Sequence, residues 1–207
     1  MMTRITVGGI VAGLVMFLWS FIAHMVLPVG EMGVNSNAQE DNVLASLKSA
    51  NAQGLYLMPG YEYFQSSSKS RAEQQAAMQA VTEKAKRTGS AFIVYRPDSG
   101  VEISPKTLGL SFFSDVIACW IFAFALWAAM PRIRSFSMRV WLVTIMGLLP
   151  FVVCDFAYWN WYSFPGQYML GKVLDYSVGA IFAGMFLAWW LARGENPPVR
   201  EAARMAA

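Results

Sequence analysis

Residues 5–27 read ITVGGIVAGLVMFLWSFIAHMVL, an apolar run in which His24 is the single ionisable side chain. About 20 apolar residues in an α-helix cross a bilayer core of about 30 Å. The run is longer than the roughly 7–15 residues of a signal-peptide hydrophobic region, and no A-x-A cleavage site follows it. The stretch therefore predicts a transmembrane helix that remains as an anchor.

The amino-acid composition extends this conclusion to the rest of the chain. Of the 207 residues, 56% are hydrophobic and 14% are charged, and the mean hydropathy is +0.40. Soluble domains carry about 25% charged residues, so the composition predicts a multi-pass protein embedded in the lipid bilayer. The net charge is +3 and the basic residues are dispersed. This predicts no nucleic-acid partner, because nucleic-acid binding uses a concentrated basic surface.

Three further apolar runs are long enough to cross a bilayer, and they cover residues 108–130, 140–161 and 166–192. The predicted fold class is a mainly α membrane protein. It is a four-transmembrane-helix bundle with a small α+β extracytoplasmic domain inserted between helices 1 and 2. Pro150 predicts a kink in the third helix. Small residues four apart predict close helix packing, as found for Gly9 with Gly13 and Ala180 with Gly184.

The stretch between the first and second helices is polar, with eight acidic and eight basic side chains in residues 28–107. Helical patterns cover EDNVLASLKSA (40–50) and SKSRAEQQAAMQAVTEKAKRTG (68–89). SAFIVYRP (90–97) is typical of a strand, and GLYLMPGYEYF (54–64) predicts a strand broken by a Pro-Gly turn. These patterns predict a small domain of two helices and two strands.

Basic residues in the short loops and flanks predict the orientation. The loop around Ser163 and Pro165 has none, whereas the other flanks carry Arg4, Arg132, Arg134, Arg139, Arg193, Arg200 and Arg204. Because Lys and Arg are retained on the cytoplasmic side, both termini are predicted to be cytoplasmic. The predicted layout is an anchor at 1–27, a periplasmic domain at 28–107, a three-helix membrane region at 108–192 and a cytoplasmic tail at 193–207.

Five ionisable side chains fall inside or at the end of the predicted helices, and we call them the polar cluster: His24, Asp115, Asp155, Lys172 and Asp175. At about 1.5 Å per residue, each lies about 5–13 Å below the outer end of its helix. A charge at this depth costs about 2.5 kcal/mol or more, so it pairs within the protein. Lys172 is predicted to bridge Asp155 and Asp175. Two interpretations stay open, a structural clamp between helices and a site for an ion or a small polar ligand.

The sequence contains no arrangement typical of an enzyme or a metal protein. Cys119 and Cys154 lie inside apolar runs and form no CxxC motif, and His24 is the only histidine. Neither a nucleophile–base pair nor a Gly-rich phosphate loop is present. The sequence therefore predicts no catalytic residue, no metal and no cofactor.

Four aromatic residues near the Pro-Gly turn are candidates for contacts with a partner: Tyr56, Tyr61, Tyr63 and Phe64. Tyr and Phe are enriched in the cores of protein interfaces, and a domain of roughly 80 residues without disulfides has a marginal core of its own. The alternative is that these rings form that core. If they form an interface, the expected partner is another membrane protein or a second copy of the chain.

Several segments resemble a family of bacterial integral membrane proteins to which no activity is assigned. They are SFIAHMVLPVGEMG (20–33), EDNVLASLK (40–48), GLYLMPG (54–60) and YWNWYSFP (158–165). The resemblance covers most of the chain, with the same order of anchor, outer domain and three further helices. It implies a bacterial inner-membrane location and brings no activity, cofactor or catalytic residue.

Three hypotheses of function follow from these observations. The first is a non-catalytic integral membrane subunit or accessory protein of an inner-membrane assembly. The second is an ion- or small-molecule-binding protein, such as a transporter component, that uses the polar cluster. The third is a membrane enzyme whose carboxylates act as acid and base. A water-filled cavity at the carboxylates would favour the last two, and a closed, paired cluster would favour the first.

Overall fold

The structure is a computed structural model that describes residues 2–49, 52–66, 68–97 and 103–194. Most of the predicted tail therefore lies outside the described residues. In chain order the elements are α1 (Met2–Met25), α2 (Glu40–Ser49), β1 (Gly54–Met58), α3 (Tyr61–Gln65), α4 (Arg71–Thr88), β2 (Ala91–Tyr95), α5 (Pro105–Ala129), α6 (Phe136–Pro150), α7 (Phe156–Tyr162) and α8 (Gly166–Ala192).

Contacts within the chain divide it into two compact units. The helical unit comprises Met1–Asn35 and Ile103–Ala207, and the small unit comprises Ser36–Glu102. The chain is mainly helical, and among the described residues four helical segments are long and apolar enough to cross a membrane. This confirms the prediction of four candidate spans, which the structure places at Met2–Met25, Pro105–Ala129, Phe136–Tyr162 and Gly166–Ala192.

The third candidate span changes its helical geometry in the middle. A π-helical turn, Phe151–Asp155, joins α6 to α7. It begins directly after Pro150, which has no N–H to donate to the carbonyl four residues earlier. The break predicted at this proline is therefore a π-helical turn, and it places Asp155 at the junction with α7.

Small residues allow the helices of the helical unit to approach closely. Helix α1 packs against α5 and α8, and α8 also packs against α6. A Cβ on Gly13 would lie 2.7 Å from the Val116 Cα, and a Cβ on Gly184 would lie 3.1 Å from the Val143 Cβ. The absence of a side chain at these glycines is what permits the contacts, as the spacing of small residues predicted.

The main apolar core of the helical unit lies toward the start of α1 and the end of α8. Leu126, Leu187 and Leu191 are fully buried there, at 0% exposure. The other members of this core are Ile5, Ala12, Cys119, Phe122, Ala123, Met130, Val143 and Ala183. Its members in α1, α5 and α8 lie in the half of their helix that is distant from the polar cluster.

The small unit contains two antiparallel strands and three helices. β1 pairs with β2 in a register that runs from Gly54–Tyr95 to Met58–Ala91. Helix α4 begins with a capping box, in which the Glu73 carboxylate accepts hydrogen bonds from the Ser70 hydroxyl and backbone N–H. These bonds lower the pKa of Glu73 below its usual value, since they stabilise the charged carboxylate.

The prediction of a strand after the Pro-Gly turn is wrong. Residues Tyr61–Gln65 form the short helix α3 instead of extending the sheet. Pro59 has no backbone N–H for a strand ladder, and the chain then closes a helical turn in which the Phe64 N–H donates to the Gly60 carbonyl at 3.1 Å.

Candidate functional site

His24 and Asp175 form the contact between α1 and α8 in the polar cluster. The His24 Nε2 lies 4.0 Å from the Asp175 Oδ2. The His24 Nδ1 lies 2.9 Å from the Ser20 carbonyl oxygen. A carbonyl only accepts, so Nδ1 is the donor in this bond. Nε2 therefore carries a proton toward Asp175 only when the imidazole is charged.

Asp115 on α5 belongs to the same group. Its half-buried carboxylate is close enough to the Asp175 carboxylate for the two to repel each other when both are ionised. Helices α1 and α8 thus bring His24 and Asp175 together, and Asp115 on α5 lies within electrostatic reach of Asp175. Their shared depth along the helices is the signal that predicted this grouping.

The predicted bridge from Lys172 to Asp155 and Asp175 does not form as a direct ion pair, although Lys172 and Asp175 line the same small cleft. Within the part of the chain that the structure describes, Lys172 forms no ion pair with a carboxylate. Its Nζ lies instead over the rings of Tyr168 and Tyr176, at 5.3 and 5.9 Å from their centroids. Tyr168 and Tyr176 are four residues before and after Lys172, which puts all three on one helix face. That spacing is visible in the sequence and could have predicted this cation–π contact.

Asp155 occupies a different environment in the π-helical turn. It is buried, with 5% of its surface exposed. The Tyr176 hydroxyl lies near enough to interact with its carboxylate, but Oδ2 has no hydrogen-bond partner among the described residues. A buried carboxylate oxygen without a partner is costly. Asp155 therefore differs from Asp175, which has the His24 Nε2 at 4.0 Å.

The cleft at the polar cluster is too small for a substrate. It has a volume of about 10 Å³ and touches His24, Gly30, Tyr168, Lys172 and Asp175. A space of this size holds about one water molecule. A larger groove of about 360 Å³ lies against α6 and α8, and its lining, which includes Val140 and Trp141, has no titratable side chain.

An indole N–H bonds to the backbone next to the polar cluster. The Trp19 Nε1 donates to the Asp175 carbonyl oxygen at 3.0 Å. This contact has no signature in the sequence, because a backbone acceptor is present at every residue. Trp19 ties α1 to α8 beside the pair of His24 and Asp175.

The candidate partner residues of the small unit are mostly exposed. Tyr61 is 74% exposed, Phe64 58% and Tyr63 39%. Tyr56 differs, because it is half-buried, its ring packs edge-on to Tyr95 at 6.4 Å between centroids, and its hydroxyl donates to the Ala52 carbonyl. We call the exposed three, Tyr61, Tyr63 and Phe64, the aromatic patch.

An open groove of about 730 Å³ lies beside the aromatic patch. Tyr61 and Phe64 line one part of it, and Leu55–Gly60, Gln65, Lys84 and Thr88–Ala91 line the rest. The Lys84 Nζ contacts the Glu62 carboxylate at 3.4 Å, which together with backbone hydrogen bonding lowers the pKa of Glu62. The groove is thus largely apolar, and its single charged lining residue is already paired.

Neither a search for metal-binding groups nor comparison with known proteins adds information on the site. In residues 2–49, 52–66, 68–97 and 103–194, no group of three or more His, Cys, Asp or Glu side chains is arranged to hold a metal ion. Comparison with protein-family models, curated proteins and solved structures finds no match.

Proposed function

We propose that this protein is a non-catalytic integral membrane subunit or accessory protein of a bacterial inner-membrane assembly. The observation that carries the proposal is the aromatic patch, because Tyr61 exposes 74% of its surface beside an apolar groove. Exposed aromatic side chains next to a concave apolar surface are typical of protein interfaces. The partner binds through this surface of the small unit.

The polar cluster has a structural role in this proposal. A cleft of about 10 Å³ leaves no room for a ligand larger than water. The contacts of Asp175 with His24 and Trp19 join α1 to α8, which fixes the position of the two helices relative to each other. A polar contact of this kind within a membrane contributes roughly 0.6–1.7 kcal/mol.

The proposed location is the bacterial inner membrane, with cytoplasmic termini and residues 28–107 in the periplasm. The distribution of arginines supports it, although Arg200 and Arg204 lie outside the described residues. In a variant without Cys119 and Cys154, we expect a membrane-impermeant thiol reagent to label a cysteine at Ser163 from outside. A cysteine at Ser135 should react only after permeabilisation. Equal labelling of both in intact cells would contradict this orientation.

The test of the partner interface removes the aromatic patch without changing the rest of the small unit. We expect Tyr61→Ser/Tyr63→Ser to leave the protein folded and to remove a protein that copurifies with the wild type in mild detergent. The control is Met78→Ser/Val94→Ser, which changes two other exposed apolar side chains, 47% and 69% exposed. The copurifying protein, followed by mass spectrometry, should remain with the control.

Two results would contradict the proposed interface. The wild type could purify alone as a stable monomer, or the patch variant could unfold, as shown by rapid proteolysis of the small unit. Unfolding would mean that Tyr61 and Tyr63 belong to the unit's own core.

A second candidate function rests on Asp155. Its buried Oδ2 without a partner favours a site for a small cation at the π-helical turn, as in the ion-binding hypothesis. Thermal unfolding in sodium, potassium and lithium chloride at equal ionic strength tests this hypothesis. A cation site predicts that one salt raises the melting temperature of the wild type and leaves that of Asp155→Asn unchanged.

A further inference from the structure

The groove of about 360 Å³ against α6 and α8 follows the first turns of α6. Its lining on α6 begins at Phe136 and Ser137 and ends at Thr144, a length of about 12 Å at about 1.5 Å per residue. Ile181 and Met185, four residues apart, line it from α8. Half of a bilayer core is about 15 Å thick. The groove therefore spans most of one leaflet and ends before the middle of the third candidate span.

The surface of the groove is open and apolar. Phe136, Trp141 and Met185 expose 50%, 60% and 46% of their surfaces. Thr144 is buried, and its hydroxyl donates to the Val140 carbonyl at 2.9 Å, so this polar group is already bonded within the helix. The groove thus fits a long apolar chain better than a polar substrate.

Two arginines lie at the end of the groove where α6 begins. Arg134 is two residues before Phe136, at most about 7 Å away along the backbone, and Arg132 is two residues further back. Both are exposed, and among the described residues neither forms an ion pair. In the described part of the helical unit, no carboxylate lies in this half of the helices. The positive charge of the two arginines is therefore not neutralised there by an acidic side chain.

Hydrogen bonds hold the loop that carries these arginines. The N–H groups of Arg132 and Ile133 donate to the Ala129 carbonyl at 2.9 and 3.0 Å. The buried Arg139 of α6 donates through its Nε to the Ile133 carbonyl at 2.9 Å. Because Ile133 lies between Arg132 and Arg134, these bonds fix the backbone of both arginines relative to the start of α6.

An apolar groove with a positively charged end indicates the chemistry of the ligand. An anionic phospholipid has an acyl chain for the groove and a phosphate, which guanidinium groups bind through charge-assisted hydrogen bonds. Basic side chains at the ends of membrane helices recognise anionic headgroups in this way. A transmembrane helix of a partner protein would contact the whole span, whereas the groove ends at Thr144.

We propose that an anionic phospholipid binds in this groove, with its phosphate at Arg132 and Arg134 and one acyl chain against α6 and α8. The ligand is a component of the bilayer, and its site lies in the helical unit. The inference therefore requires that α6 and α8 cross the membrane, as proposed above, but it does not depend on the partner interface of the small unit.

Lipid titration followed by native mass spectrometry tests the headgroup. We expect the delipidated full-length protein in mild detergent to bind one phosphatidylglycerol more tightly than phosphatidylcholine with the same acyl chains. Arg132→Gln/Arg134→Gln should remove this preference and weaken the binding of phosphatidylglycerol roughly 30-fold, about fivefold for each arginine near an anionic lipid. The control Arg71→Gln/Arg87→Gln removes the same charge at exposed positions of α4 and should leave the affinity unchanged.

A photoreactive acyl chain tests the position of the lipid on the wild type, without any substitution. Phosphatidylglycerol with a diazirine in its acyl chain should label α6 between Phe136 and Thr144 and α8 near Ile181, as mapped by peptide mass spectrometry. Met185→Trp places a larger side chain in the groove and should reduce this labelling. Leu170→Trp, at a residue of α8 that is 52% exposed and outside the groove, should not.

Three results would overturn the inference. They are equal affinity of the wild type for the two lipids, equal effects of the arginine variant and its control, and labelling spread evenly over the exposed faces of the four helices. If the lipid binds as expected but Tyr61→Ser/Tyr63→Ser removes no copurifying protein, only the partner interface fails. If that variant loses its partner while the wild type shows no lipid preference, the proposed function stands and the lipid site is excluded.

Discussion

The two ends of the helical unit are stabilised by different interactions. The end that contains Leu126, Leu187 and Leu191 is packed with apolar side chains at 0% exposure. We call this the apolar end, and we call the end with the polar cluster the polar end. At the polar end, α1 and α8 are joined by the contact of His24 with Asp175 and by the Trp19 hydrogen bond. The apolar end thus combines a fully buried apolar core with the contacts of Arg4 and Trp190, whereas the contacts described for the polar end are polar.

The polar end also contains irregular backbone. The π-helical turn Phe151–Asp155 lies there, and Ser163 between α7 and α8 adopts a left-handed conformation with φ of 57°. Residues other than glycine adopt this conformation infrequently. Regular helices and close packing coincide at the apolar end, where Arg139 and Thr144 are also buried, whereas the breaks in the helices lie at the polar end. The comparison predicts that mutations at the two ends have effects of different size and sign.

The largest effect is expected from a cavity at the apolar end. Leu187→Ala should lower the free energy of unfolding by about 2 kcal/mol, at the low end of the range for a buried leucine. Lipid tails are as apolar as leucine, so transfer out of water contributes nothing to the stability that Leu187 provides. The expected loss comes from the packing contacts that the shorter side chain no longer makes. Met185→Ala, on the same helix but 46% exposed, should change the stability by less than about 0.5 kcal/mol.

Unfolding by a denaturing detergent, followed by tryptophan fluorescence, measures both changes. Equal losses for Leu187→Ala and Met185→Ala would show that the apolar end does not depend on a packed core.

Two aspartates of the polar end should give effects of opposite sign. Asp155→Asn removes a buried charge whose Oδ2 has no partner and should raise the free energy of unfolding by about 1 kcal/mol. Asp175→Asn removes the partner of His24 and should lower it by a similar amount, about 1 kcal/mol. Both substitutions replace an aspartate by an asparagine. A difference between their effects on the free energy of unfolding therefore reports the surroundings of each carboxylate.

The same detergent-unfolding assay compares the two variants. A loss of stability in Asp155→Asn would indicate that its carboxylate has a partner in the folded protein, such as a bound cation. A neutral result for Asp175→Asn would remove the structural role proposed for its contact with His24.

The sequence predicted the candidate spans because an apolar helix needs only length and composition. The predicted run of residues 5–27 and the helix Met2–Met25 differ by a few residues at each end. The depth of each charge along its helix also placed His24 and Asp175 at one level, and the structure has them 4.0 Å apart. These are properties of one helix at a time, and they follow from the rise per residue.

Contacts that depend on a side-chain rotamer or on the backbone were not predicted correctly. Lys172 was predicted to pair with the carboxylates of Asp155 and Asp175, but its Nζ lies over the rings of Tyr168 and Tyr176. Rotation about the side-chain bonds of a lysine can direct its charge along the helix, and the sequence does not specify this rotamer. The stretch GLYLMPGYEYF was predicted as a strand broken by a Pro-Gly turn, but Tyr61–Gln65 form a helix, since the local hydrogen bonds that close a helical turn give no signal in the sequence.

The smallest effect is expected from the hydrogen bond between Trp19 and Asp175. Trp19→Phe removes the Nε1 donor that bonds to the Asp175 carbonyl at 3.0 Å and keeps a ring that can pack against Phe182. We expect a loss of about 0.6 kcal/mol, the average for interhelical hydrogen bonds in membranes. At the apolar end, the Trp190 Nε1 donates to the Arg4 carbonyl at 2.9 Å, so Trp190→Phe removes an equivalent bond.

Trp190→Phe should cost more than Trp19→Phe, because the Arg4 guanidinium also lies over the Trp190 ring at 5.1 Å and a smaller ring weakens that contact. Trp141→Phe, at an indole that is 60% exposed, serves as the control and should leave the stability unchanged. Detergent unfolding followed by circular dichroism avoids the change in fluorescence that each substitution causes. If Trp19→Phe matches the Trp141→Phe control, the hydrogen bond of the polar end contributes nothing to stability. The contact of His24 with Asp175 would then be what remains to join α1 to α8 at that end.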